Sequence, residues 1–152
     1  MSADQRISES EVPPDLLSLS TMTLATAAAG GTPHAAPVYF AADDSLAFYF
    51  FSEPDSLHSR HLQLNPQAAA AIYPECFHWQ EIRGLQMHGR VITVPQGPDW
   101  QAAWRCYVDK FHYVAGLGEV VGRSTLYAFQ PGWIRMVDNR RGFGFKQEWA
   151  LP

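Results

Sequence analysis

Two histidines three residues apart, in His58-Ser59-Arg60-His61, fall on one face of a short predicted helix, and Cys76-Phe77-His78 follows at a short distance in the chain. Imidazoles at that spacing can share a metal ion. The acidic ligand that usually completes such a set is missing from the helix and nothing fixes a third ligand, so an ordinary structural role outweighs a metal site. His88 and His112 read as fold residues. Gly116-Leu-Gly-Glu-Val-Val-Gly122 is one residue too long for the dinucleotide fingerprint, and no predicted strand precedes it. Neither a GxSxG elbow nor a phosphate-binding P-loop occurs. Cys106, two residues after Trp104 on an apolar helix, reads as a structural thiol rather than a nucleophile. Arg140 and Arg141 could receive an acidic substrate or lie on a solvated turn, and both readings stand. No catalytic acid or base can be named from this pattern.

The whole-chain numbers narrow the chemistry further. The chain has 152 residues, 47% hydrophobic and 13% aromatic, with only 17% charged. That is enough to bury one core and leave apolar surface over, as a subunit interface or as a pocket for a flat ligand. A net charge of −4 provides no basic field for nucleic acid. The chain contains no run near the ~20 apolar residues of a membrane helix. The opening Met1-Ser-Ala-Asp-Gln-Arg6 has no apolar stretch of signal length behind it. Cys76 and Cys106 form no CxxC pair, which fits buried thiols in a reducing compartment. A cytoplasmic protein with no membrane partner is the expectation.

The elements that must position these residues are mostly strands. Residues 1–12 are expected to be frayed. Pro13-Pro14-Asp15 before Leu16, Leu17 and Leu19 predicts a short helix with proline in its first turn. Thr21 to Ala27, His34 to Phe40 and Leu46 to Phe51 predict a three-strand antiparallel meander, turned at Gly30-Gly31 and Asp43-Asp44. Pro37 marks its strand as an edge or a bulge. Asp55 to Leu64 reads as a helix capped by Asp55 or Ser56 and stopped by Asn65-Pro66. Ala68 to Tyr73 is apolar enough for a strand buried on both faces. Ile82 to Val94 predicts one long strand bent at Gly84 and Gly89. Behind Gly97-Pro98-Asp99, residues Trp100, Ala103, Trp104, Tyr107, Val108 and Phe111 form one helical stripe, read as core or subunit interface. Leu126 to Phe129 and Trp133 to Val137 predict a hairpin around Gln130-Pro131-Gly132. Many short strands in one chain of this length point to a single domain, mainly β, closed as a small barrel because closure removes exposed edges.

The order of these pieces resembles the FMN-binding split barrels related to pyridoxamine 5'-phosphate oxidase. The likeness is carried by Thr21-Met-Thr-Leu-Ala-Thr26, Gly31-Thr-Pro-His-Ala-Ala-Pro-Val-Tyr-Phe40, Phe48-Tyr-Phe-Phe-Ser52, Ser56 to Pro66, and Ile82-Arg-Gly-Leu-Gln-Met-His-Gly-Arg90. The tail from Asp138 to Trp149 is similar to an uncharacterised bacterial branch of the superfamily. The resemblance implies a Greek-key-like split β-barrel of six or seven antiparallel strands with capping helices. It also implies a homodimer that holds FMN at the subunit interface and acts on a small molecule. By the same resemblance, Pro37, Val38, Tyr39, Phe51 and Ser52 line the flavin ring, and Ser56, Leu57 and His58 face its phosphate. Gly84 belongs to the same set, and the second subunit supplies Asn139, Lys146 and Trp149, with Trp149 as a stacking face. Where the family usually has arginine or lysine, this chain has Leu57, which cannot donate, and His58, which is only partly charged near neutral pH. The implied activity is that of an FMN-dependent oxidoreductase. A flavin carrier or sensor without its own reaction, a haem- or deazaflavin-binding relative, and an apo structural dimer remain open beside it. Oxidation of pyridoxamine phosphate itself is not expected, since the tail lacks a convincing match to the substrate-binding segment of those enzymes.

Overall fold

A computed structural model describes residues 11–152. Alternating side chains drive most of its architecture. In β1 (Thr21–Ala27) Met22, Leu24 and Thr26 point inward, and in β4 (Phe48–Ser52) Phe48, Phe50 and Ser52 do the same. The Gly30-Gly31 turn, with Gly31 at φ +83°, returns the chain into β2 (Pro33–Tyr39), which pairs with β1 from Ala27↔Pro33 to Thr21↔Tyr39. β2 has no other strand along its length, which is where Pro37 is tolerated.

The expected meander ends there. After Phe40 the chain crosses to β3 (Ala41–Ala42), whose two residues pair with β4, and β4 then finds its main neighbour in β7 (Thr125–Asp138). The full antiparallel order is β2-β1-β5-β6-β7-β4-β3, with β5 at Gln67–Ile72, β6 at Arg83–Thr93, and β8 (Lys146–Ala150) attached to β7. Because β2 and β3 end the order and only Phe40 separates them in sequence, the chain itself joins the two ends of the sheet. This is a split barrel. Phe40, Phe48, Phe50 and Phe129 fill it with Leu24, Ile72 and Ile134, all essentially inaccessible to solvent.

Three other expectations are corrected. Leu126 to Val137 is one strand, not a hairpin. Its register against β6 shifts between His88 and Gly89: Trp133 faces His88 and Pro131 faces Gly89, so the exposed Gly132 is the extra residue of a bulge. Gly89 permits this: a Cβ there would stand 2.1 Å from the Gln130 carbonyl oxygen. β5 is buried on one face only, with Ala69 exposed and Ala71 half-buried. The frayed segment does not reach residue 12, because Val12 is fully buried in the core; residues 1–10 lie outside the described residues.

Short helices close the ends and one flank. α1 (Pro14–Leu17) is tied to β6 by the ion pair between Asp15 and Arg83. α2 (Leu57–Leu64) begins at Ser56, whose Oγ accepts the Ser59 N–H at 3.3 Å. α3 (Pro98–Lys110) lays Trp100, Trp104 and Tyr107 around the outward ring of Phe51. At its end, Lys110 Nζ donates to the carbonyls of Leu17, Leu19 and Phe40 at 3.0, 2.5 and 2.8 Å. α4 (Gly118–Arg123) leads into β7. Among the described residues no helix is long and apolar enough to cross a membrane.

Candidate functional site

α2 starts beside the end of β4 and packs on β1 and β2, so it draws polar residues from four elements together. Ser52 Oγ lies 2.7 Å from His58 Nε2, and Ser56 Oγ lies 3.2 Å from the same nitrogen. Ser56 Oγ also donates to Ser59 Oγ at 2.7 Å. From β1, Thr26 Oγ1 is 3.0 Å from Nδ1 of the buried His61. From β2, the His34 ring stacks over His58 with centroids 6.3 Å apart and planes 6° from parallel, and meets His61 edge-on at 5.9 Å. Burial holds the His58 imidazole below its ordinary value of 6.5, and the neighbouring His34 and His61 lower it further. The His58 ring is thereby biased toward its neutral form, in line with the sequence-based expectation that this position supplies little charge. Among the described residues no group of histidine, cysteine and carboxylate side chains is arranged to hold a metal ion.

Of the residues expected at the cofactor, the structure brings Ser52, Ser56 and His58 into direct contact. Leu57 stands beside them, 49% exposed. On β2, Val38 points into the barrel, while Pro37 and Tyr39 face outward, Tyr39 with its ring 5.4 Å from Phe111. The Phe51 side chain is engaged by α3, which takes its ring out of a ligand wall. Gly84 is buried, and a Cβ there would sit 2.5 Å from the Ile72 carbonyl oxygen, so the close approach of the neighbouring chain at Ile72 and Tyr73 requires glycine.

The tail residues take their places in the fold of their own chain. β8 pairs with β7 of its own chain from Val137↔Lys146 to Trp133↔Ala150, and Trp149 is 3% exposed within the barrel core. Trp149 is a core residue, not a stacking face, because an indole of that area stabilises the fold most when fully covered. Asn139 holds its own turn, its Nδ2 donating to the Trp79 carbonyl at 2.8 Å and its Oδ1 accepting from the Gly144 N–H at 3.0 Å. Lys146 is exposed at the start of β8. Arg140 forms a two-point pair with the buried Asp138, and the Arg141 guanidinium lies over the Phe145 ring. All of this is at the Asp138 end of β7, whereas Ser52 pairs with Thr125 at the other.

The family profile of pyridoxamine 5'-phosphate oxidase matches residues 10–138. The chain belongs to that family. A UPF0306 protein of Photorhabdus laumondii is 30% identical over 128 residues, covering 84% of this chain and 85% of its own. The fold is shared with a haem-binding protein from Mycobacterium smegmatis (TM-score 0.73, 21% identity, 88% of this chain and 53% of that one). It is shared as well with an FAD-binding protein from Mesorhizobium loti (TM-score 0.66, 16% identity, 84% of this chain and 90% of that one).

Within the family frame, two members of the polar cluster escaped the sequence reading, Thr26 and His34, while His61 was read only as a discounted metal partner of His58. A signal for His34 was present. Period-two alternation sets it on the inward face of β2 with Ala36 and Val38, where a histidine is out of place without a partner. That α2 supplies the partner follows only from packing. The thiol reading of Cys106 agrees with the structure, where Sγ lies 3.5 Å from the Ala42 carbonyl and burial pushes the thiol up to about 11.

Proposed function

We propose that this chain binds FMN as a homodimer and works as an FMN-dependent oxidoreductase on a small organic molecule. The observation that carries the reading is the Ser52–His58–Ser56 constellation at the start of α2, beside the outward Pro37 and Tyr39 of β2. Two hydroxyls and an imidazole with no carboxylate hydrogen-bonded to them suit the phosphate of a flavin mononucleotide. Ser52, Ser56, His58 and the backbone of α2's first turn would hold that phosphate, and the edge of β2 would meet the ring. Bound FMN supplies the redox chemistry, while the protein orients it and excludes competing reactions.

Two features support the dimer. Outward Ala25, Ala35, Pro37, Ala69 and Ala71 give β2, β1 and β5 a flat face of small apolar residues, and the same face runs into an open groove of about 790 Å³ beside His88 and Trp133. The exposed aromatics Trp79 and Phe143 and the exposed Lys146 lie near the far end of β7, so one chain cannot bring them to its own Ser52 and His58; a second chain can.

The test is an absorption spectrum of the purified protein before and after adding FMN. Flavin bands that shift on binding, flavin released on denaturation, and bleaching by NADPH or NADH are the expected results; bound flavin that no nicotinamide donor reduces would make the protein a carrier instead. Haem is the second reading, favoured by the likeness to the haem-binding Mycobacterium protein and by the exposed His88, whose ring stacks on Trp133 at 4.4 Å in that groove. A Soret band in place of flavin bands would select it.

A further inference from the structure

We infer that His58, with His34 and His61 packed beside it, forms a proton-gated receptor for a phosphate monoester. The inference rests on the flavin reading only for the source of that phosphate. Its basis is the cluster itself. Three imidazoles from two elements stand within 6.3 Å of one another, centroid to centroid along the chain of contacts His58–His34–His61. The groups facing them are uncharged: the Thr26 hydroxyl from β1, the Ser52 hydroxyl from β4, and the Ser56 and Ser59 hydroxyls from the start of α2. The nearest charged side chains in sequence, Glu53 and Asp55 on the turn and Arg60 on α2, are all exposed, and among the described residues none bonds to a ring of the cluster.

Such a cluster limits its own charge. Burial and the neighbouring His34 and His61 rings oppose a proton on His58, so the free site favours the neutral ring there. An anion beside the His58 ring reverses that sign: the proton then gains an opposite charge, and binding and protonation promote one another. The hydrogen bonds at His58 turn over in the same step. With Nε2 bare, the Ser52 hydroxyl donates to it. With Nε2 protonated, the imidazolium donates to Ser52 Oγ, and the hydroxyl hydrogen is freed to point at a phosphate oxygen. An arginine or lysine in the place of His58 would bind the same group without this coupling. Here the affinity is tied to pH.

The phosphate monoester loses its second proton near pH ~6, so the informative window is about pH 6.5 to 8, where the ligand stays dianionic. Flavin fluorescence titrations are expected to show FMN affinity falling several-fold, and at most about tenfold, per pH unit for each proton taken up across that window. Riboflavin, which lacks the phosphate, should show no such slope. His58→Arg should bind FMN at the upper end of the window with a flattened profile. In parallel, the histidine ring proton signals, assigned with His34→Asn, His58→Asn and His61→Asn, should move on adding inorganic phosphate at the lower end. FMN binding with the same affinity throughout in the natural protein would overturn the gating and leave the flavin reading standing. Histidine signals that respond to phosphate while FMN does not bind would support the receptor and remove flavin as its source. Silence toward both overturns receptor and flavin together.

Discussion

His58 is held by two hydroxyls and overlooked by two other imidazoles, and its folded environment favours the neutral ring. That environment fixes the sign of the pH dependence. Its folded pKa lies below the unfolded value of 6.5, so below that value the unfolded chain binds more protons, and stability present above it is lost as the pH falls. Urea midpoints should drop between about pH 7.5 and pH 5, and the drop should shrink in His58→Gln. An unchanged drop would place the acid sensitivity elsewhere. Lys110 carries a second residue-scale prediction. Burial lowers its ammonium to about 8, yet three carbonyls take its hydrogens. Lys110→Met keeps the length of the stem but leaves those acceptors without a donor, and should cost about 1–3 kcal/mol in denaturant unfolding at neutral pH. Neither role was legible in the sequence, where His58 is one of six histidines and Lys110 one cation at a helix end. A side chain's partners come from elements far away in the chain, and spacing along one element does not report them.

At the scale of the element, the strand and helix boundaries followed from alternation and capping. Ser56 was readable as a cap because a serine before an amphipathic turn can accept an orphan N–H, and Ser56→Ala should cost about 1 kcal/mol. The β6–β7 ladder was misread because Gln130-Pro131-Gly132 carries the signature of a tight turn. In the structure Gln130 and Pro131 stay in the ladder opposite Arg90 and Gly89, and Gly132 is the bulged residue. Gly89→Ala forces a methyl into the Gln130 carbonyl and should destabilise by about 1–3 kcal/mol or more. Gly116→Ala, with open space around it and no positive φ, should be neutral or stabilising by up to about 1 kcal/mol in the same assay. Equal effects at the two glycines would contradict the bulge.

At the scale of the molecule, the barrel closes because one strand changes partners at Phe40 and because the tail returns to β7. Trp149→Ala empties a core position and should cost about 3–5 kcal/mol. A tail that belonged to a partner would instead give a concentration-dependent loss. The alanine face of β1, β2 and β5 makes the opposite prediction. Ala69→Arg lies on the exposed side, so it should leave monomer stability nearly unchanged and halve the mass seen by light scattering. An unaltered dimer would move the interface to another face, and a natural protein that is already monomeric would remove it.

The sequence by itself determined which residues point inward, where most elements start and stop, and, through the ordered likeness from Leu16 to Val94, the split-barrel family. These are local properties: alternation, capping and turn chemistry act over a few residues, and they survive whatever the rest of the chain does. Tertiary structure alone decided that His34, His58 and His61 meet, that Trp149 is core, and that the Gln130-Pro131-Gly132 stretch carries a bulge at Gly132 rather than a turn. Each depends on contacts between segments dozens of residues apart, where the free energy of burial outweighs local preference and no periodicity records the partner.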